Sequence, residues 1–230
     1  MKVSVLIPTR NRPELLQKAV ASALVQSFAD FELIIVNDGS EPLPDFSDPR
    51  IRTLNSGEAG AVPARNMAAH AVRGDVIAWL DDDDQWSNHD LLGDAVTAID
   101  GGADFVFGDG RFVFADGSPS QDYSRTADAK SLELDNTILV SAIAYRGNLH
   151  QKLGSFDESL PFYWDWDWYL RVARSGAKLH HIARPVVDIL IHPQNMSGDA
   201  NAEARQQNLD LLAEKHGLPS LTLKTHLDLA

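Results

Sequence analysis

The sequence predicts an α/β protein with a mostly parallel central sheet flanked by helices. Short runs rich in Val and Ile, such as Val3 to Ile7 and Phe31 to Val36, alternate with segments whose apolar residues recur at helical spacing. Strands that alternate with helices form a parallel sheet with helices on its faces. Polar residues follow three of the predicted strands, at the place where open α/β sheets bind ligands.

The first hundred residues predict the order β-α-β-β-α-β followed by a third helix. The predicted strands are Val3 to Ile7, Phe31 to Val36, Ile51 to Leu54 and Val76 to Leu80. The predicted helices begin at Pro13, near Val62 and near His89. Proline suits the first helical position, where its missing N–H loses no hydrogen bond. The sequence Asn37-Asp38-Gly39-Ser40 has the residues of a turn and ends the second strand.

Residues 101–230 have a weaker pattern. The predicted elements are strands at Phe105 to Phe107 and Arg111 to Phe114 with a turn at Asp116-Gly117, a helix from Trp164 to Arg174, and strands between Lys178 and Ile191. Residues 118–129 are polar and predict a mobile loop. Because no linker divides the chain, we expect a single domain over residues 1–230.

Composition excludes several classes of protein. Of the 230 residues 44% are hydrophobic and 23% charged, an ordinary globular balance. A net charge of −13 argues against nucleic acid as a partner. The absence of cysteine excludes disulfides, thiolate metal sites and cysteine nucleophiles. No stretch approaches the roughly 20 apolar residues of a transmembrane segment. We therefore expect a cytoplasmic protein, at most peripheral at the inner face of a membrane.

Four consecutive aspartates, Asp81 to Asp84, follow the apolar run Val76 to Leu80. Adjacent carboxylates repel one another and become favourable when a cation lies among them. An Asp-X-Asp pattern offers hard oxygen ligands to Mg²⁺ or Mn²⁺. The sequence therefore predicts a divalent metal site here, and a solvated acidic turn is the alternative.

The polar strand ends and later motifs together resemble the family 2 glycosyltransferases, inverting enzymes with the GT-A (Rossmann-like) fold. The resemblance runs in order over roughly residues 3–192. It rests on Val3 to Arg12, Val36 to Ser40, Asn55 to Asn66, Leu80 to Asp84, Gly154 to Glu158 and Trp164 to Arg171. Each motif alone is weak, whereas the ordered set is specific.

The resemblance implies a reaction and its residues. Residues 1–100 would bind a nucleotide-diphosphate sugar, with a UDP-type donor expected. Residues 101–230 would bind a carbohydrate or lipid-linked acceptor used in cell-surface polysaccharide or glycoconjugate synthesis. The implied nucleotide-sugar-binding residues are Pro8, Thr9, Asn11, Arg12, Asp38, Arg65, Asp81 and Asp82. The implied ligands of Mn²⁺ or Mg²⁺ are Asp81, Asp83 and His192. Asp165 would be the catalytic base that deprotonates the acceptor hydroxyl.

Simpler interpretations remain open for single residues. The alternative for Asp38 is a turn former, for Arg65 a helix-surface charge, and for Asp165 a helix cap. A lone histidine such as His192 is more often structural. Asp167 and Arg171 are spaced for an ion pair within a helix.

Two positions depart from the family pattern: Trp164 stands where the family has glutamate, and Leu190 where it has arginine. One rival function is a sugar nucleotidyltransferase, but it should carry a glycine-rich loop after the first strand, and Pro8 to Arg12 contains no glycine. The same absence excludes a nicotinamide dehydrogenase. Because of Trp164, an inactive nucleotide-sugar-binding relic is a further alternative.

Overall fold

The computed structural model describes residues 2–196 and 201–224. The strands are β1 (Val3–Thr9), β2 (Phe31–Asn37), β3 (Ile51–Asn55), β4 (Val76–Trp79), β5 (Gln85–Trp86), β6 (Phe105–Phe114), β7 (Gln121–Tyr123), β8 (Ile143–Arg146) and β9 (Leu179–Ile191). The helices are α1 (Pro13–Leu24), α2 (Ala61–His70), α3 (Leu91–Asp100), α4 (Ala129–Leu132), α5 (Asn148–Leu153), α6 (Trp164–Arg174) and α7 (Ala202–His216), with a 3₁₀ turn at Val140–Ala142.

The described strands form one sheet in the order β3-β2-β1-β4-β8-β6-β9-β5, with β7 beside β6. β1 pairs in parallel with β2 and β4, and β2 with β3, which confirms the predicted arrangement of the first half. In this register Thr9 lies beside Asn37. The carboxyl ends of β1 and β2 therefore bring their polar turns to one edge of the sheet.

The second half of the sheet is mixed. β8 pairs antiparallel with both β4 and β6, whereas β6 and β9 are parallel. Instead of two short strands, residues 105–114 form the single strand β6, whose register against β9 shifts around Asp109. Gly108 lies against Val186, and a Cβ there would come within 2.5 Å of the valine side chain. Close packing of this segment, which the sequence pattern does not reveal, keeps the strand continuous.

The polar stretch 118–129 is anchored, contrary to its prediction as a mobile loop. Its middle forms β7, which pairs antiparallel with β6 across the predicted turn at Asp116-Gly117. Tyr123 is buried against Phe112, and its hydroxyl donates to the Thr137 carbonyl at 3.1 Å. Strand pairing and the buried Tyr123 together attach the middle of this segment to the sheet.

Helices cover both faces of the sheet. Apolar residues of α1 and α3 pack on one face, and those of α2, α6 and α7 pack on the other. The second face is aromatic: Trp79 and Trp168 are fully buried, and the Trp79 indole N–H donates to the Tyr145 hydroxyl at 2.8 Å. Over the described parts of the chain, no helix is both long enough and apolar enough to span a membrane. This packed layer supports the strand end that carries the aspartates.

Candidate functional site

A cavity of about 600 Å³ opens at the edge of the sheet where β1, β2 and β4 end, and it extends to the start of α6 and to α7. Nine of the eleven predicted site residues line it: Pro8, Thr9, Arg12, Asp38, Arg65, Asp81, Asp82, Asp83 and Asp165. Asn11 and His192 do not. The cavity therefore joins residues that lie up to 157 positions apart in the chain, between Pro8 and Asp165.

The four aspartates alternate in their surroundings. Asp82 and Asp84 are buried, whereas Asp81 and Asp83 are partly exposed. Asp84 accepts from the Ser141 hydroxyl at 2.5 Å and from the backbone N–H of Leu190 at 3.1 Å. Burial and the neighbouring charge of Asp83 hold the pKa of Asp84 well above its usual range. Asp84 therefore attaches the run to β9, and Asp81 and Asp83 are the two partly exposed carboxylates at the cavity.

Asp82 was predicted to bind nucleotide-sugar, and in the structure its carboxylate accepts hydrogen bonds from two side chains of the protein. It accepts from the Thr9 hydroxyl at 2.6 Å and from the Arg12 guanidinium at 3.3 Å. Burial, followed by the charge of Asp83, raises the pKa of Asp82 to about 6. Asp82 thus links the end of β1 to the aspartate run, which fixes Thr9 at the cavity wall.

Asp81 is paired with Arg65, whose guanidinium donates to it at 2.6 Å. Arg65 also lies over the ring of Trp164, with its central carbon 4.6 Å from the ring centroid. Trp164 is itself fixed by an edge contact with Phe156 at 4.7 Å. The tryptophan that replaces the family's glutamate therefore holds Arg65 through a cation–π contact where glutamate would offer an ion pair.

Asp83 is the candidate metal ligand with the most concentrated set of partners. Its Oδ2 lies 2.7 Å from Arg12 Nη1, 3.0 Å from His192 Nε2 and 3.5 Å from Asn195 Nδ2. Burial opposes the charged form of Arg12, but Asp82 and Asp83 raise its pKa above the usual value. The cluster gathers positive charge and donors on one carboxylate oxygen.

The donor set fits a divalent ion only in part. Asp83 and His192 face each other and offer the oxygen and nitrogen donors that Mn²⁺ accepts. Within residues 2–196 and 201–224, no group of three His, Asp or Glu side chains is arranged to hold a metal. Asp81, the third predicted ligand, is paired with Arg65. An ion bound here would need oxygen atoms from a ligand to complete its coordination.

Asp38 is more than a turn former. It is buried, and its Oδ1 accepts from the Ser56 hydroxyl at 2.5 Å and from the backbone N–H of Gly60 at 3.0 Å. Arg10 Nη1 lies 3.6 Å from its other oxygen. Asp38 therefore joins the turn after β2 to the loop before α2 and presents a fixed carboxylate at the cavity wall. The sequence analysis did not single out Arg10, Ser56 or Gly60 as its partners.

Asn11, predicted to bind nucleotide-sugar, lies in a turn beside the cavity and is not among the residues that line it. Its φ of 54° is in the left-handed region, and its Oδ1 accepts from the backbone N–H of Glu41 at 3.0 Å. A Cβ on Gly39 would fall 2.1 Å from that oxygen, so Gly39 allows the two turns to approach. Asn11 acts on the site through the position of this turn.

Asp165 lies in the first turn of α6 with 9% of its surface exposed. Its Oδ2 accepts from Asn136 Nδ2 at 2.8 Å. Burial raises its pKa to about 6, with the Asn136 hydrogen bond and the charge of Arg65 opposing. The residue preceding α6, Tyr163, makes no side-chain cap. A buried carboxyl that titrates near neutrality can take up a proton from a substrate hydroxyl.

Asp167, two residues further on, has a structural environment. It is fully buried and pairs with Arg171 at 2.8 Å, with Lys215 at 2.6 Å and with His216 at 2.8 Å. Burial opposes ionisation, but these partners lower the pKa of Asp167 below its usual value. The predicted ion pair with Arg171 is confirmed, and Lys215 and His216 from the end of α7 attach that helix to α6.

Four residues that line the end of the cavity near α6 and α7 were not predicted from the sequence. These are Asn136, Arg205, Leu209 and Lys224, all of which line it. Arg205 donates to the Lys224 carbonyl at 2.5 Å, and Lys224 pairs with Asp135 at 2.5 Å. Asn136 and Asp165 are 29 positions apart, so no local spacing could have indicated their contact.

Comparisons with known sequences agree with this geometry. The family described as "Glycosyl transferase family 2" matches residues 4–164. The match ends one residue before Asp165. The uncharacterized glycosyltransferase YwdF of Bacillus subtilis (strain 168) is 32% identical over 237 residues, which cover 97% of this chain and 87% of YwdF. WfgD of Escherichia coli, a UDP-Glc:alpha-D-GlcNAc-diphosphoundecaprenol beta-1,3-glucosyltransferase, is 32% identical over 112 residues, 46% of this chain and 44% of WfgD.

Solved structures share the fold. The structure of S. aureus TarS 1-349 in complex with UDP-GlcNAc has a TM-score of 0.71 at 20% identity, and the match covers 94% of this chain and 66% of that one. The mannosyltransferase PcManGT from Pyrobaculum calidifontis, in complex with GDP-Man and Mn²⁺, has a TM-score of 0.64 at 18% identity, with 93% and 63% covered. This chain thus spans about two thirds of the chains in those two structures, and 39% of the chain in the longer TarS structure. The likeness confirms the GT-A fold. The chain belongs to glycosyl transferase family 2 and is a glycosyltransferase.

Proposed function

We propose that the protein is an inverting glycosyltransferase that moves a sugar from a UDP-sugar to a hydroxyl of a carbohydrate or lipid-linked acceptor in cell-surface glycoconjugate synthesis. The observation that carries this proposal is the single cavity lined by Asp38, Asp81, Asp83 and Asp165. Support for a UDP-type donor comes from the TarS complexes with UDP-GlcNAc and UDP, and from the UDP-Glc named for WfgD.

Each half of the cavity has chemistry suited to one substrate. The fixed carboxylate of Asp38 can accept from the N–H of a pyrimidine base, and Asp81 with Arg65 lies where ribose and diphosphate would bind. Asp165 would take the proton of the acceptor hydroxyl as that oxygen forms the new glycosidic bond and the nucleoside diphosphate departs. A single base working in one displacement gives inversion at the anomeric carbon.

Asp83 and His192 would hold Mn²⁺ or Mg²⁺ together with diphosphate oxygens. When bound, the ion stabilises the negative charge on the departing diphosphate. The complex of PcManGT with GDP-Man and Mn²⁺ supports an ion of this kind. Arg12, which donates to both Asp82 and Asp83, keeps the two carboxylates oriented and adds positive charge at the same place.

Titration calorimetry with UDP tests the donor half. Affinity is expected to fall strongly when EDTA replaces Mn²⁺, and the Asp83→Asn variant should lose that difference. Asp38→Ala should weaken UDP by about 1–3 kcal/mol, the cost of an unsatisfied polar partner, and leave pyrophosphate unaffected. Asp122→Ala, an exposed carboxylate on β7 that does not line the cavity, is the matched control. Equal UDP affinity in EDTA and in Mn²⁺ would refute the metal site. Equal UDP affinity of Asp38→Ala and the wild type would refute the role of Asp38.

Activity assays on the purified protein distinguish the proposed function from its two rivals. A sugar nucleotidyltransferase would release pyrophosphate from UTP and a sugar 1-phosphate, which this protein should not do. An inactive binding relic would bind UDP-sugar but neither transfer nor slowly hydrolyse it. Release of UDP from a UDP-sugar, and its loss in Asp165→Asn, would separate the proposed enzyme from both.

A further inference from the structure

We propose that Asn136 is a positioning residue for the reaction: its side-chain amide holds the Asp165 carboxylate toward the acceptor half of the cavity and keeps it in the ionised form that can accept a proton. The role of Asp165 as base belongs to the function proposed above, and this inference rests on it. The contact itself is a hydrogen bond from Asn136 Nδ2 to Asp165 Oδ2 at 2.8 Å.

The orientation of the amide is the first argument. Asn136 Oδ1 is buried and has no hydrogen-bond donor among the residues that the structure describes. A buried unpaired oxygen is costly, and rotating the amide would place that oxygen against the Asp165 carboxylate instead. The unpaired oxygen is therefore the cost of keeping the N–H₂ group on Asp165, an orientation that the ionised carboxylate favours because its oxygens only accept hydrogen bonds.

The segment that carries Asn136 is held from several sides. The Trp166 indole N–H donates to the Leu132 carbonyl at 2.7 Å, and Tyr123 donates to the carbonyl of Thr137. Lys224 pairs with Asp135 at 2.5 Å. Because anchors lie on both sides of Asn136, its amide is fixed before any substrate binds, as a group that must orient a base requires.

Few other charges act on Asp165. Arg65, from α2, attracts its ionised form. Tyr163, which precedes α6, and Tyr169, on α6, lie near it. Burial acts in the opposite direction and raises the pKa of Asp165 to about 6, with the Asn136 hydrogen bond the largest opposing influence. The Asn136 amide is thus the principal neutral group that stabilises the carboxylate.

The test is direct titration of Asp165 by ¹³C NMR in protein labelled at the aspartate carboxyl carbon, with the resonance assigned by its loss in Asp165→Asn. In Asn136→Ala the pKa of Asp165 should rise by about one, because a hydrogen bond to the charged form is lost. Asn136→Asp should raise it further by placing a second carboxylate beside the first. Asn88→Asp is the matched control, because it makes the same substitution away from the cavity and retains an oxygen for the Asp90 backbone N–H.

A pKa of Asp165 that stays the same or falls in Asn136→Ala would overturn the proposal. Asn136→Leu, which keeps the number and branching of the side-chain heavy atoms and removes the N–H donor, should raise the pKa of Asp165 in the same way if the alanine variant does not fold. The titration requires neither donor nor acceptor, so its outcome is independent of whether transfer activity is found. In the active enzyme, the acid side of the pH–rate profile should move to higher pH in Asn136→Ala, a change that a merely structural role would not produce.

Discussion

Because the carboxyl of Asp165 is buried, the wild-type protein should be less stable at neutral pH than a variant in which residue 165 cannot ionise. The pKa of Asp165 is about 6 in the folded state, against an ordinary value of 3.8. The folded state therefore binds this proton more tightly than the unfolded state does. It follows that the free energy of unfolding falls as the pH rises from about 4 to about 6, and that Asp165→Asn removes this loss.

The magnitude follows from the difference between the two values. One pKa unit corresponds to about 1.36 kcal/mol, so the full effect is about 3 kcal/mol. Part of it is already present at pH 4, where the unfolded carboxyl is half ionised. Between pH 4 and pH 8, the stabilisation of Asp165→Asn relative to the wild type should therefore grow by about 2 to 3 kcal/mol. Asp165 is 9% exposed, so solvent screens the effect little.

Urea unfolding of both proteins at pH 4 and pH 8, followed by circular dichroism, measures this difference. Asp167→Asn is a control on the same helix with the opposite sign. Burial opposes ionisation of Asp167, but its hydrogen bonds from His216 and Lys215 and the charges of Arg171 and Lys215 lower its pKa, so that variant should lose stability, and lose more at pH 8 than at pH 4. If Asp165→Asn were no more stable than the wild type at pH 8, the burial argument for its raised pKa would be wrong.

Three further results are expected. Asp165→Asn should slow sugar transfer by roughly 10²–10⁴-fold while UDP affinity measured by calorimetry stays within error, and a variant that transfers normally would exclude Asp165 as the base. Thr9→Val should lower the free energy of unfolding by about 1–3 kcal/mol, because it leaves the buried Asp82 without its hydroxyl donor; Thr9→Ser keeps a hydroxyl and should be as stable as the wild type, and equal stability of the valine variant would refute this role of the hydrogen bond. Tyr123→Ala should lower the free energy of unfolding by about 3 kcal/mol or more and speed amide hydrogen exchange in residues 118–129, whereas slow exchange in that variant would show that another contact anchors the segment.

Much of the fold was predictable because its signals are local. The apolar runs of β1, β2 and β4 and the helical spacing of α1 and α2 each lie within a few turns of chain, and α6 has its predicted bounds, Trp164–Arg174. The meeting of the polar strand ends at one sheet edge was predictable because the strands of the first half are parallel. The second half was less predictable, since the antiparallel insertion of β8 and the continuity of β6 depend on neighbours from distant segments.

The sequence by itself determined the α/β class, the sheet edge that carries the aspartates, and the family to which the chain belongs, because each is written in short ordered motifs. Only the tertiary structure decided which aspartates are buried, since Asp82 and Asp84 accept hydrogen bonds from Thr9 and Ser141 of other segments. It also decided the environment of Asp165, whose partner Asn136 lies 29 positions away. Burial and pairing across such separations set the pKa of a carboxyl, and a linear pattern does not contain them.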